Sequence, residues 1–358
     1  MLNSNKKVWL FSFFLILPLL VGCGKKNPVK KDTHVPRIAK TYVTRNDHLI
    51  SVFDLEKTKE IKDIPVGRVS RVVAITPDYN YAYVTCYGAK WGDGAVYKVK
   101  VIEDTAVGSI KVGGNPEGIV ISGDGALAYV VNTGSDSKSI SVINLESDTV
   151  ETTIGLGESS PSIALTPDDS EILVTQTEAN VVLVIDAKNF NIIDQIGLDK
   201  PASIAFSADG NYAYVTSLSS NNPNYISQIS LNTLAEIRSF RVGDYPMGVV
   251  ENPINGHLLV SNRISDDKPL GNILVLDSSF VAQDTIAVDG LPTAMVFSED
   301  GTNLWVTVAI SGGAFHYLRS IDPGDYVIEN SLTFEASWPV DLAIVPGESG
   351  GEPAQPNP

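Results

Sequence analysis

The sequence predicts an all-β fold, a seven-bladed β-propeller of four-stranded blades. Three observations lead to this prediction. A short apolar triplet recurs seven times, its copies start 41 to 46 residues apart, and no stretch shows sustained helical periodicity. A period of about 40–45 residues built from short strands is typical of a propeller. The triplets, most often Tyr-Val-Thr, occupy residues 42–44, 83–85, 129–131, 173–175, 214–216, 259–261 and 305–307.

Each repeat unit reads as four short strands, and the third unit shows the pattern most plainly. Residues 118–121 are apolar and are followed by Ser-Gly-Asp-Gly, in which the Asp-Gly pair favours a tight turn. Residues 127–131, 140–143 and 149–154 then supply three more segments with the apolar content or the alternation of strands. Seven such units account for seven blades.

The two ends of the repeat region predict how the ring closes. The first unit begins at Ile38 without a first strand, whereas residues 338–346 match a first strand that lacks a unit. We therefore expect the C-terminal strand to complete the first blade. Closure of this kind leaves no exposed edge between the first and last blades, and it assigns residues 38–346 to the propeller.

Residues 1–22 are typical of a bacterial signal peptide. Lys6 and Lys7 precede an uncharged apolar run over residues 8–22, which is shorter than the roughly 20 residues of a membrane span. The run ends in Leu-Val-Gly-Cys (residues 20–23), which resembles the bacterial lipobox. The resemblance implies that Cys23 is acylated and becomes the mature N-terminus. A signal anchor with an unrelated cysteine is the alternative.

Two spacer segments flank the predicted ring. Residues 23–37 comprise the lipidated cysteine and a polar linker, and residues 347–358 form a Gly/Pro-rich acidic tail that we expect to be disordered. Gly24 is not the aspartate that often retains lipoproteins at the inner membrane. We therefore expect a secreted, lipid-anchored protein at the outer membrane or cell surface.

The net charge argues against binding to nucleic acid, and the cysteine content argues against a disulfide bond. The formal net charge is −16, and the leader contains lysines but no acidic residue, so its removal makes the chain more acidic still. Binding to nucleic acid needs clustered positive charge, so a nucleic-acid partner is not expected. Cys86 is the second of two cysteines. No disulfide can form once Cys23 carries lipid, and we expect the Cys86 side chain to be partly buried.

The blade pattern predicts two unlike faces. The Asp-Gly turns between the first and second strands lie on one face, the turn face, and their uniformity indicates a structural role. The loops between the second and third strands share the other face, the loop face, with the connections between blades. Loop-face segments differ from blade to blade, which is typical of a binding surface. They are residues 86–95, 132–139, 217–224, 262–271 and 310–316.

Aromatic, cationic and polar residues on the loop face are therefore the candidate ligand-binding residues, because such mixtures line small-molecule sites and protein contact surfaces. The set is Arg68, Arg71, Tyr87, Lys90, Trp91, Glu117, Tyr225, Tyr245, Arg263, Phe315, His316 and Trp338. Trp91, Tyr245 and Trp338 are the expected anchors. The alternative is that several of the aromatic rings cap the outer cores of the blades.

Local motifs for catalysis, metals or cofactors are absent from the sequence. The four histidines form no close metal-ligand pair, and there is no Cys-x-x-Cys-His, Gly-x-Ser-x-Gly or Gly-x-Gly-x-x-Gly. We therefore expect no cofactor and no metal, and a binding protein rather than an enzyme. A lactonase- or lyase-like site assembled from Arg71, Glu117 and His316 around the channel stays open, because such sites have no local motif.

The repeats resemble the YVTN β-propeller repeat over residues 38–346. Residues 207–216 (SADGNYAYVT) and 76–85 (TPDYNYAYVT) carry the resemblance. It implies the propeller fold, but it spans surface-layer proteins, ligand binders, lactonase-like enzymes and dehydrogenase subunits. Similar lipoproteins include corrinoid-capturing surface proteins. A surface receptor for a small molecule such as a corrinoid, handing it to an outer-membrane transporter, is therefore favoured over an envelope scaffold or adhesin and over a lactonase- or lyase-like enzyme.

The lipobox interpretation predicts the behaviour of a Cys23→Ser variant. The variant lacks the acylated thiol, so it should lose the detergent-phase partitioning that the wild-type protein shows when expressed in a bacterial host. Partitioning is measured by phase separation in a cloud-point detergent and immunoblotting. A Cys86→Ser variant is the control and should partition like the wild type. Equal partitioning of Cys23→Ser and wild type would contradict lipidation at this residue.

Overall fold

The computed structural model describes residues 37–88, 93–218, 224–243, 245–264, 270–312, 315–335 and 337–348. These residues form 28 strands in seven four-stranded antiparallel sheets and contain no helix, which confirms the predicted fold class. In this part of the chain, no helix is long and apolar enough to span a membrane. The predicted site residues Lys90 and Trp91, and the predicted lipidation site Cys23, lie outside the described residues.

The sheets follow one another as blades, each ordered from the channel outward. Blade 1 contains β28 (Pro339–Val345), β1 (Lys40–Arg45), β2 (Leu49–Asp54) and β3 (Lys59–Pro65). Blade 2 contains β4 (Val69–Ile75), β5 (Tyr81–Tyr87), β6 (Gly94–Lys100) and β7 (Thr105–Val112). Blade 3 contains β8 (Pro116–Ile121), β9 (Leu127–Asn132), β10 (Ser139–Asn144) and β11 (Thr149–Gly155). Blade 4 contains β12 (Ile163–Leu165), β13 (Glu171–Gln176), β14 (Val181–Asp186) and β15 (Ile192–Gly197).

The remaining three blades repeat the same order. Blade 5 contains β16 (Pro201–Phe206), β17 (Tyr212–Ser217), β18 (Tyr225–Ser230) and β19 (Ala235–Arg241). Blade 6 contains β20 (Pro246–Glu251), β21 (Leu258–Arg263), β22 (Gly271–Leu276) and β23 (Ala282–Ala287). Blade 7 contains β24 (Leu291–Phe297), β25 (Leu304–Ala309), β26 (Phe315–Ile321) and β27 (Ile328–Glu335). The innermost strands of neighbouring blades contact one another around the ring.

The ring closes as the sequence predicts. Strand β28 pairs antiparallel with β1, with Val345 opposite Lys40 and Pro339 opposite Arg45. Beyond the sheet, the Glu348 N–H donates to the Arg37 carbonyl at 2.8 Å, so both ends of the described chain meet at the turn face. The C-terminal strand therefore completes blade 1 and leaves no gap in the ring.

The core lies between the blades, and its position explains the burial pattern. The second strand of each blade is buried between the neighbouring blades, and β9 and β13 read as nearly continuous apolar runs. The outermost strands face solvent, and every residue of β19 is exposed. Cys86 belongs to this core. The sequence analysis placed it as partly buried, but it is 0% exposed, and burial raises the pKa of its thiol to about 12.

Uniform turns occupy the turn face, as predicted. In each of five blades, a Ser or Thr hydroxyl donates to an Asp carboxylate two residues later, and that carboxylate also accepts a backbone N–H. These bonds hold the pKa of the Asp below its usual range. The pairs are Thr76–Asp78, Ser122–Asp124, Thr166–Asp168, Ser207–Asp209 and Ser298–Asp300. Turn geometry therefore accounts for these acidic residues.

A bulge in the innermost strand is the main irregularity of the blades. In blade 2, for example, the pairing of β4 with β5 shifts between Ser70 and Val73. Two residues of the inner strand then lie opposite a single residue of its partner, so backbone groups leave the sheet ladder. Blades 1, 3 and 5 shift at the equivalent place.

The threonine of the triplet satisfies these backbone groups. The Thr175 hydroxyl accepts the Ser162 N–H of its own inner strand at 3.2 Å and donates to the Ala202 carbonyl of the next inner strand at 3.1 Å. Thr85 and Thr44 make the same pair of bonds in blades 2 and 1. Each of these threonines therefore ties two neighbouring inner strands together.

A Thr175→Val variant tests this tie. Valine keeps the volume of the side chain but leaves a partly buried N–H and carbonyl without their partner, so the free energy of unfolding should fall by about 1 kcal/mol. Chemical denaturation monitored by circular dichroism measures the change. Thr153→Val on the exposed face of β11 is the control and should change stability by less than about 0.5 kcal/mol. Equal effects of the two variants would contradict the role of Thr175.

Candidate functional site

Charged residues interrupt the repeat pattern in one sector of the channel. The inner strands of three neighbouring blades carry Asp341 on β28, Arg71 on β4 and Glu117 on β8. All three residues lie at the bulge, in the loop-face half of the strand. At the equivalent positions of the inner strands, the other four blades carry only uncharged residues, among them Ser162, Ala202, Met247 and Thr293.

Arg71, Glu117 and Tyr87 form one bonded group. The Arg71 guanidinium donates from Nε and NH2 to one Glu117 oxygen at 2.8 and 2.7 Å. The Tyr87 hydroxyl donates to the other Glu117 oxygen, and the guanidinium carbon lies 5.7 Å from the Tyr87 ring centroid. Burial and the neighbouring Glu117 raise the pKa of Tyr87. The ion pair keeps 28% and 18% of its side-chain surfaces exposed, so it remains accessible.

Asp341 is a fourth polar residue of this sector, and it was not among the residues predicted from the sequence. Its carboxylate accepts the Val73 N–H of the next blade at 3.0 Å, and its own N–H donates to Thr44 Oγ1 at 2.9 Å. Burial raises the pKa of the Asp341 carboxyl to about 6, although the Val73 N–H and the charge of Arg71 act in the opposite direction. Alignment of the inner-strand bulges would have found it, since the equivalent positions are Val72, Gly118, Ser162, Ser203, Gly248 and Ala294.

Several predicted residues lie at other places on the loop face. Arg68 is exposed, and its N–H donates to the Tyr87 carbonyl at 3.2 Å. Tyr245 and Arg263 are half-buried neighbours in blade 6, joined by a backbone bond of 3.1 Å. Tyr225 is half-buried at the start of β18 in blade 5.

The left-handed backbone of Tyr245 does not mark a functional site. Its φ is 44°, and Asn115 and Lys200 share this conformation immediately before an inner-strand proline. The strained backbone is therefore a feature of the repeat rather than of the site.

His316 and Trp338 pack together in the closing region of the ring. His316 is 3% exposed, and its Nδ1 accepts the Ile310 N–H at 3.1 Å. Its ring lies 6.1 Å from that of Trp338 and 6.2 Å from that of Phe334. The neighbouring Phe315 is 49% exposed. His316 therefore takes the position of a core cap in blade 7, while Arg71 and Glu117 lie in blades 2 and 3.

No metal site is found in the part of the chain that the structure describes, where no three His, Cys, Asp or Glu side chains lie close enough to share an ion. Arg71, Glu117, Tyr87 and Asp341 instead place a guanidinium, two carboxyl groups and a phenol in one sector of the loop-face half of the ring. Guanidinium donors recognise anionic or carbonyl oxygens, and carboxylates accept N–H and O–H groups. The arrangement is suited to a polar molecule with donors and acceptors.

Comparisons with known proteins support the fold class. No family model matches the chain. A curated relative, Antigen Lp49 of Leptospira interrogans, is 25% identical over 168 residues, which are 42% of this chain and 36% of that protein. The match thus spans little more than a third of the relative's length.

Solved structures match over most of the chain. A functionally unknown protein from Desulfotomaculum acetoxidans has a TM-score of 0.70 at 16% identity, over 86% of this chain and 99% of that one. The periplasmic gluconolactonase PpgL of Pseudomonas aeruginosa has a TM-score of 0.68 at 16% identity, with coverages of 86% and 99%. At these identities the likeness shows the fold alone. The protein is a seven-bladed β-propeller.

The raised pKa of Asp341 predicts a pH-dependent effect of Asp341→Asn. Burial disfavours the ionised form, so the wild-type fold carries an unfavourable charge above pH 6. As the pH falls from 7 to 4, the folded chain takes up this proton before the unfolded chain does, and the wild type gains stability. The variant should therefore have a higher melting temperature than the wild type at pH 8. The difference between the two melting temperatures should shrink toward pH 4.

Scanning calorimetry measures these melting temperatures, and Asp124→Asn is the control variant. Hydrogen bonds from Ser122 and Ala126 lower the pKa of Asp124, so this variant should lose stability at pH 7 and recover relative to the wild type in acid. A difference between Asp341→Asn and wild type that stays constant from pH 8 to 4 would contradict the raised pKa.

Proposed function

We propose that the protein is a cell-envelope lipoprotein that binds a small polar ligand at the loop-face end of its central channel. The observation that carries the proposal is the charged sector formed by Arg71, Glu117 and Asp341. A sevenfold repeat needs no charge at these bulges, and four blades have none. Charges confined to one sector of a symmetrical scaffold favour a role in recognition over a role in folding.

The bonded group favours a ligand rich in amides or hydroxyls. Arg71 has five N–H donors, and its pair with Glu117 engages only part of them. Asp341 retains acceptor capacity beside the backbone N–H groups of Val73 and Leu342 that it receives. A corrinoid, which carries several amide side chains, is a concrete candidate and agrees with the resemblance of the repeats to corrinoid-capturing lipoproteins.

The path of the chain supports binding on the loop face. The described chain enters the ring at Arg37 and leaves it at Glu348, and these residues bond to each other on the turn face. A linker from an anchor at Cys23 would therefore join the ring at its turn face. The loop face would stay open to a ligand and to a partner such as an outer-membrane transporter.

Hydrolysis of a sugar lactone is the second candidate function. It is favoured by the carboxyl of Asp341, which titrates at about 6 and would act as a general base near neutral pH. Arg71 would stabilise the developing oxyanion. The similar fold of a gluconolactonase from Pseudomonas aeruginosa agrees with this reading.

Isothermal titration calorimetry with cyanocobalamin tests the binding proposal, and a thermal-shift screen of envelope metabolites extends it. A ligand at 100 times its dissociation constant stabilises the fold by about 2.7 kcal/mol. Arg71→Gln and Trp338→Ala should each weaken binding by about 2 kcal/mol, which is roughly 30-fold, with little change in melting temperature. Asp124→Asn on the turn face should leave binding unchanged.

Two results would count against binding at the loop face. One is the absence of any stabilising molecule in the screen. The other is a loss of binding in Asp124→Asn while Arg71→Gln binds as the wild type does. Turnover of glucono-δ-lactone that disappears in Asp341→Asn would instead favour the second candidate.

A further inference from the structure

The junction of blades 7 and 1 lacks a turn-face bond that joins several other pairs of blades, as do the blades whose triplets begin with Leu173 and Leu259. In blades 1, 2 and 3, the tyrosine of the triplet donates its hydroxyl to a turn of the next blade. The pairs are Tyr42 with Asp104 at 2.5 Å, Tyr83 with Asp148 at 3.2 Å and Tyr129 with the Ala187 carbonyl at 3.4 Å. In blade 7 the position is Trp305, which is 5% exposed. Its indole N–H makes no hydrogen bond to any described residue.

Trp305 lines a groove of about 460 Å³ between blades 7 and 1. Apolar side chains, among them Leu55 and Ile344, form part of its lining. Its ionisable lining residues are all acidic: Glu56, Glu299 and Asp300. The groove thus combines an apolar surface, a free hydrogen-bond donor and a negative rim, in the size range of ligand sites.

The closure of the ring explains why the groove is open here. At other junctions, Pro77 and Pro167 of one turn lie against Gly125 and Gly210 of the next. Blade 7 carries Glu299 at the place of these prolines. Blade 1 has no turn between its first two strands, because they come from opposite ends of the chain.

We propose that this groove binds a short basic peptide segment. A backbone carbonyl of the peptide accepts the Trp305 N–H, and an apolar side chain packs on Leu55 and Ile344. A lysine or arginine of the peptide pairs with Glu56 on the rim. A peptide supplies an acceptor and a cation together, whereas a carboxylate ligand would be repelled by the acidic rim. The site lies on the opposite face from the proposed ligand site and does not depend on it.

Calorimetric titration of the full-length protein in detergent with two pentapeptides tests the proposal. The probes are acetyl-Ala-Leu-Lys-Leu-Ala-amide and the same peptide with Glu in place of Lys. We expect the Lys peptide to bind at least tenfold more tightly than the Glu peptide, and to bind more weakly in 0.5 M salt. Trp305→Phe removes the N–H and keeps an aromatic ring, so it should weaken binding about three- to tenfold.

Glu56 and Glu146 provide a matched pair of variants. Both residues are exposed and follow a leucine at the same turn position, Glu56 in blade 1 and Glu146 in blade 3. Glu56→Gln should weaken binding of the Lys peptide at least threefold, and Glu146→Gln should not change it. Glu56 is on the surface, so this comparison stands even if Trp305→Phe fails to fold. Equal affinity for the two peptides, no binding of the Lys peptide at millimolar concentration, or equal effects of the two Glu variants would overturn the proposal.

Discussion

The bulge found in six of the seven inner strands is the constraint on which the ring depends. It takes a backbone N–H and a carbonyl out of the sheet ladder close to the channel, where two blades meet. An unsatisfied backbone group in such a place costs free energy comparable to a lost hydrogen bond. A threonine hydroxyl both accepts and donates, so Thr85 satisfies one group in its own blade and one in the next. The third position of the triplet therefore holds the blades in register with one another.

The same bulge supplies the positions of the candidate site. Arg71 and Glu117 occupy equivalent bulge positions in adjacent blades, which lets their side chains meet. Asp341 lies one position further along, where it reaches the Val73 N–H of the neighbouring strand. Side chains at the bulge do not have to bond the displaced backbone groups, because the threonine hydroxyl already does so. These positions are free to vary, and in one sector they carry charge.

Periodicity was sufficient to predict the fold, because each blade repeats the same strand lengths and turn chemistry. The count of seven and the closing strand follow from where the repeat starts and stops. The grouping of Arg71 with Glu117 was also accessible, since both precede the apolar core of an inner strand by the same interval.

Other features depend on contacts that a single sequence does not reveal. The bond between Asp341 and Val73 joins residues 268 positions apart. The burial of His316 follows from its pairing with Phe334, which is set by the register of β26 and β27. The groove beside Trp305 appears only when its blade is compared with the others in three dimensions.

The meeting of Arg37 and Glu348 makes the order of the blades along the chain almost arbitrary. The Glu348 N–H already donates to the Arg37 carbonyl, so a short peptide joining these residues would turn the interrupted blade into an ordinary one. The ring could then be opened at any other turn to give a circular permutant with the same blades and the same inner-strand bonds. Such permutants would move the chain ends around the turn face while the loop face stayed as it is.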